Sequence, residues 1–104
     1  MDAVFKALAD PSRRLLLERL RQRNGQSLLE LRGHLDLSRP AVAKHLAVLE
    51  KAGLLGVQWR GREKRHYLNT APLFRLRERW LDLFQRPEQM AAQALKKALE
   101  KGRR

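Results

Sequence analysis

The side chains in this sequence that could do chemistry are mostly cations. Arg39 and Lys44 lie close together beside Pro40 and Ala41, and Arg60, Arg62, Lys64 and Arg65 crowd around one glycine, Gly61. Guanidinium and ammonium groups so placed suit the capture of phosphate oxygens or guanine edges, which is binding chemistry. Groups that would make and break bonds are missing or already explained. There is no cysteine, so thiolate nucleophiles, thiolate metal sites and disulfides are all excluded. His34, His45 and His66 stand far apart, with no carboxylate pair at ligand spacing, and no metal site is expected from them. Ser12, Ser27 and Ser38 fall where helices need caps. The carboxylates are dispersed and no glycine-rich phosphate loop is present, so neither an enzymatic activity nor a cofactor is expected.

The elements that must hold these cations come from a short chain. Its 104 residues suit one domain, expected to occupy 1–104. The formal net charge of +12 gives the surface a strong positive potential, which favours a polyanionic partner. No apolar run approaches the ~20 residues of a spanning helix, and residues 1–14 lack a secretory apolar core, so a cytoplasmic protein that does not enter membranes is expected. The composition is 43% hydrophobic, chiefly Leu and Ala, and includes only 6 Gly and 4 Pro. That balance points to a mainly helical fold.

Along the chain, Val4, Phe5 and Leu8 share one side of a short first helix over about 2–9. Asp10-Pro11 starts a second, since Asp10 can cap it and Pro11 needs no donor in the first turn. Leu16, Leu17 and Leu20 form its buried stripe, and Asn24-Gly25 stops it through residues that tolerate the left-handed conformation. Ser27-Leu28-Leu29-Glu30 matches a capping box for a third helix that contains Leu31 and Leu35, with Gly33 inside it. Ser38 caps a fourth, over about 38–52, and Gly53 ends it. A hairpin follows over about 54–68: Leu54 to Arg60, then Gly61-Arg62-Glu63, then Lys64 to Leu68, with Trp59 and Tyr67 as packing residues. From Ala71 to about 101 the period is helical again, in Leu73, Leu76, Trp80, Leu83 and Phe84. Pro87 either kinks one long helix or sits in the first turn of a separate one.

Two helices joined by the Asp36-Leu37 turn and followed by a basic hairpin make the pattern of a winged helix-turn-helix. On the fourth helix Val42, Leu46 and Leu49 face the core, which leaves Pro40, Lys44, Ala47 and Lys51 outward. A small, basic face suits the floor of the major groove in duplex DNA, and the deep, narrow groove of A-form RNA does not accommodate it. The fold alone still admits an RNA or a protein partner as the alternative. The expected DNA contacts are Ser27, Ser38, Arg39, Pro40, Ala41, Lys44 and His45, with Arg60, Arg62, Lys64 and Arg65 in the wing. His45 is placed at the flank of the core side, either packing against the wing or bonding a phosphate.

Three stretches carry a family resemblance. Phe5-Lys6-Ala7-Leu8-Ala9-Asp10-Pro11-Ser12-Arg13-Arg14, Leu37-Ser38-Arg39-Pro40-Ala41-Val42-Ala43-Lys44-His45-Leu46-Ala47-Val48-Leu49 and Ala52-Gly53-Leu54-Leu55 resemble the opening, the recognition helix and the approach to the wing of the ArsR/SmtB family. The resemblance spans nearly the whole chain. It implies a homodimer, paired through the first and last helices, that represses transcription from a palindromic DNA operator. Metal-sensing members carry cysteines on the third helix or carboxylate and histidine ligands on the last. Here the third helix reads Leu28-Leu29-Glu30-Leu31-Arg32 and the last has no histidine. The sequence is therefore similar to the non-metal-sensing type, whose inducer is a small molecule, a sequestering protein, or none. The residues expected at the dimer interface are Val4, Phe5, Leu8, Leu76, Trp80, Leu83 and Phe84, because that apolar surface has little else to cover it. Such a regulator would be associated with the nucleoid.

Overall fold

A computed structural model describes residues 1–33, 35–84 and 87–102. The chain forms two compact units, Met1–Phe74 and Arg75–Arg104. Its elements run α1 (Asp2–Leu8), α2 (Pro11–Gln22), α3 (Leu28–Arg32), α4 (Arg39–Lys51), β1 (Leu55–Arg60), β2 (Glu63–Leu68), α5 (Ala71–Phe84) and α6 (Glu88–Lys101).

In the first unit, α2, α3 and α4 pack on one another, α1 packs on α2 and α4, and the hairpin packs on α2, α3 and α4. Leu16 and Leu20 of α2, Leu31 of α3, Val42 and Leu49 of α4 and Leu54 form the fully buried centre. Caps set the helix starts. Asp10 accepts from the amides of Ser12 and Arg13 at 2.8 and 3.1 Å, and the Arg13 amide is the main reason its carboxyl titrates below the ordinary value. Ser27 and Glu30 form the expected capping box, and the Ser38 hydroxyl accepts from Ala41 at 3.3 Å.

Arginines close the helix ends. Arg13 donates from Nε to Ala7 O at 2.9 Å and from Nη2 to Lys6 O at 2.8 Å, while Arg14 donates to Leu8 O at 2.7 Å. Together they bond the last carbonyls of α1, of which Lys6 O also accepts from the Ala9 amide at 3.3 Å. Arg19 does the same for Leu31 O of α3 at 2.9 Å.

Three sequence expectations are corrected here. Gly33 does not lie inside the third helix. It is the residue that ends α3, at φ +39, a backbone conformation that glycine reaches without a Cβ penalty. The turn between α3 and α4 is consequently longer than Asp36-Leu37, and Arg32 Nε pins it by donating to Leu37 O at 2.7 Å. The hairpin turn is shorter than expected. Glu63 is already in β2 opposite Arg60, so only Gly61 and Arg62 turn, with Gly61 at φ +63, a geometry that matches strand twist.

The strands are antiparallel from Leu55 opposite Leu68 to Arg60 opposite Glu63. The free edge of β2 is joined to Gln26 by Gly25 N to His66 O and His66 N to Gln26 O, both 2.9 Å, so the wing is tied to the start of α3. In the second unit α6 begins directly after Pro87, whose φ of −57° and ψ of 152° are those of a residue preceding a helix. Pro87 thus stands ahead of a separate helix and does not kink a continuous one.

Candidate nucleic-acid interface

The outer face of α4 follows from its inner one. With Val42, Leu46 and Leu49 buried, a helical repeat turns Arg39, Pro40, Ala43, Lys44, Ala47, Glu50 and Lys51 outward, and all of these are exposed. Ala41 is half-buried and Ser38 exposed at the helix start. Arg39, Lys44 and Lys51 have no carboxylate partner among the described residues. The alanines leave the middle of the face low, so the helix axis can approach a groove floor closely. Ala43 and Glu50 belong to this face although the sequence reading left them out.

The wing stands beside it, and its cations divide in two. Arg60 and Arg62 are exposed and unpaired among the described residues. Lys64 instead reaches Glu50 of α4 at 3.3 Å. Arg65 reaches Glu30 at 3.1 Å and Glu63 at 2.5 Å, and donates to Gly25 O at 3.0 Å. Of the four wing cations in the expected DNA contact set, two are therefore held by carboxylates of the chain itself, which lowers what each offers to a phosphate.

The sequence profile described as a helix-turn-helix domain matches residues 8–58, from the end of α1 into β1. YuzN, an uncharacterized HTH-type transcriptional regulator of Bacillus subtilis (strain 168), is 41% identical over 87 residues, covering 78% of this chain and 95% of its own length. The transcriptional repressor SdpR of the same organism is 32% identical over 73 residues, covering 70% and 80%. Among solved structures, an ArsR-like transcriptional regulator from Rhodococcus sp. RHA1 superposes with a TM-score of 0.74 at 33% identity, covering 96% of this chain and 90% of its own. The chain belongs to the ArsR family of helix-turn-helix transcriptional regulators. Its function is DNA-binding control of transcription, carried on a mainly helical fold with one small antiparallel hairpin.

Several residues of this ArsR-family chain sit elsewhere than its sequence led one to expect. Ser27 is 8% exposed and its hydroxyl accepts from Glu30 N at 3.2 Å; it shapes α3 from inside and is not on an outward surface. His45 is turned toward α2 on one side of its ring. It is half-buried, with Nδ1 at 3.3 Å from Arg13 Nη1 of α2. Trp59 is not a packing residue, being 64% exposed, whereas Tyr67 does pack, its ring closing on Gly25.

Of the residues expected at a dimer interface, Val4 is corrected: it is 8% exposed and belongs to the core of its own unit. Phe5 is exposed and Leu8 half-buried. In the second unit Leu76 is half-buried, and Trp80, Leu83 and Phe84 are exposed. The Trp80 and Phe84 rings stack with centroids 5.9 Å apart.

A family relative, the cadmium metal-sensor CMTR of Mycobacterium tuberculosis, is 34% identical with a TM-score of 0.54, covering 64% of this chain and 68% of its own. Among the described residues of this chain no group of three His, Cys, Asp or Glu side chains could hold a metal. His34 lies outside the described residues. His66 is committed to structure, 3% exposed with Nδ1 at 2.9 Å from Gln26 O, which requires the proton on Nδ1. No helix among the described residues is long and apolar enough to cross a membrane.

Proposed function

We propose that this regulator is a homodimeric repressor that occupies a palindromic operator at the nucleoid, in the cytoplasm, and has no enzymatic activity. The whole chain serves as one winged helix-turn-helix unit of function: recognition helix about 38–52, wing about 54–68, and dimerisation helices about 2–9 and 71–101. The observation that carries this reading is the outer face of α4, where Arg39 and Lys44 are exposed, unpaired among the described residues and separated by small side chains. Such a face lies in the major groove with its cations on guanine edges or phosphates, while Arg60 and Arg62 contact the backbone or the minor groove. The similarity to the repressor SdpR supports repression as the sign of control. Its DNA release needs no resident metal; its inducer is a small molecule, a sequestering protein, or none.

The test is selection of bound duplexes from a random pool. A two-fold motif with half-site centres about 34 to 36 Å apart is expected, because a symmetric dimer sets its two recognition helices one helical turn apart. Enrichment of a motif without two-fold symmetry, or of none, would overturn the proposal.

A further inference from the structure

The packing of the wing leaves Trp59 without a structural task. Cross-strand partners share a face, and the register places Trp59 opposite Lys64, Val57 opposite His66, and Leu55 opposite Leu68. That face is the one turned toward α4, since Leu55 and His66 on it are buried and Lys64 on it reaches Glu50 of α4. A cleft of ≈ 200 Å³ runs between the two elements, lined by Ala43, Ala47 and Glu50 on one side and Lys64 and His66 on the other. Trp59 sits on the same face, directly opposite Lys64 and next to the exposed tip at Arg60, Gly61 and Arg62. An indole is a large apolar surface to leave in water, and at 64% exposure the chain itself does not cover it.

We propose that Trp59 is a DNA contact residue whose ring lies against the deoxyribose edge of the groove flanking the bases read by α4. This deepens the DNA-binding reading and rests on it. Charge selects the occupant. Trp59 stands next to Arg60 and Arg62, the two wing cations that no carboxylate holds among the described residues, so a second wing brought against it would meet like charges, whereas a polyanion meets opposite ones. The sugar edge is the apolar part of that polyanion, and an apolar contact displaces no counterion. Trp59 therefore adds affinity without adding to the salt dependence, in contrast to its arginine neighbours.

The experiment titrates wild type, Trp59→Ala, Trp59→Phe and Arg62→Ala with a labelled selected operator and with a scrambled duplex of the same length, over a range of salt. For Trp59→Ala, affinity for both duplexes is expected to fall on the order of ten-fold, with the salt slope and the ratio between the duplexes kept. Trp59→Phe recovers most of the loss. Arg62→Ala lowers the slope by about one unit per wing. The emission difference between wild type and Trp59→Phe, which isolates the Trp59 indole, changes on saturation with duplex. A Trp59→Ala protein with wild-type affinity, or a Trp59 emission indifferent to DNA, overturns the assignment. So does a Trp59→Ala protein whose sedimentation shifts to a smaller species, because the ring would then be covered by a second copy. Failure of every variant, wild type included, to bind either duplex would overturn the DNA-binding reading and this assignment with it.

Discussion

Lys44 projects from the middle of the exposed face of α4 with no carboxylate to hold it among the described residues. Its replacement by alanine removes a donor from the groove and nothing from the core. Lys44→Ala is expected to weaken operator binding by roughly 1 to 3 kcal/mol and to narrow the preference for operator over scrambled duplex, measured by titration of both. Retention of affinity and preference would remove Lys44 from base reading. Glu30 is tuned in the opposite sense. The Ser27 amide does most to keep its carboxyl below the ordinary glutamate value; burial pushes it upward, and the Ser27 hydroxyl, Arg65 and Arg23 each lower it further. A carboxyl with a depressed folded pKa stabilises the fold above its unfolded value, and that contribution is lost as pH falls through the folded one. Glu30→Gln should therefore lower the melting temperature at neutral pH, and the gap to wild type should close as the pH is taken below 4.5. A gap that does not depend on pH would show that the charge is not what matters. The two residues also differ in legibility. Lys44 could be read from the sequence because helical period alone turns it outward, and the Ser27–Glu30 cap because its partners are three residues apart. The pairing of Lys64 with Glu50 and of Arg65 with Glu30 spans 14 and 35 residues. No local pattern reports it, so the wing's four cations looked equivalent.

Elements ended where backbone demands were met, and some of those demands were local. Asp10-Pro11 and Ser38 mark helix starts in the sequence because a cap acts within its own turn. Gly33 misled, since a glycine after Leu28 and Leu31 fits a continuing helix as well as a terminating one. What decides is Arg19, which reaches from α2 to Leu31 O and occupies the space where a Cβ at position 33 would stand, 2.6 Å from Arg19 Nη1. Gly33→Ala would both strain a backbone at φ +39 and displace that guanidinium. A loss of about 1–3 kcal/mol in urea unfolding is expected; an unchanged midpoint would mean that α3 can end without glycine. The hairpin was legible in outline from β-favouring runs around Gly61. The outward Trp59 was not, because an alternating strand pattern shows which residues share a face but not where the core beneath it stops.

At the scale of the whole molecule, the second unit carries apolar side chains that its own helices leave in solvent: Leu83, Phe84, Met90, Leu95 and Leu99 are each more than half exposed, and Trp80 is 43% exposed. Exposed apolar side chains clustered in this way mark a surface at which proteins pair. If it is the pairing surface of the proposed dimer, Trp80→Ala, which removes the ring stacked on Phe84, should shift the protein toward monomer at tens of micromolar in sedimentation and weaken operator binding with α4 untouched; the truncation costs about 3–5 kcal/mol when such a ring is fully packed. A Trp80→Ala protein that stays dimeric and keeps its affinity would place the pairing surface elsewhere. The sequence showed the apolar stripe of α5 through its period, but a single chain does not reveal what covers a stripe.

Arg13 gives the molecule one more property, a limit on substitution. Its guanidinium serves Ala7 O, Lys6 O and His45 Nδ1 from three different nitrogens, so one planar group meets the end of α1 and the side of α4 together. Lysine offers a single point of donation and cannot span those directions. Among the described residues Arg14, by contrast, makes one such bond, to Leu8 O. In a library randomised at both positions and selected for soluble, folded protein, position 13 should return arginine almost alone, while position 14 admits lysine as well. Lysine recovered at position 13 as often as at 14 would mean that the three-way bond is dispensable.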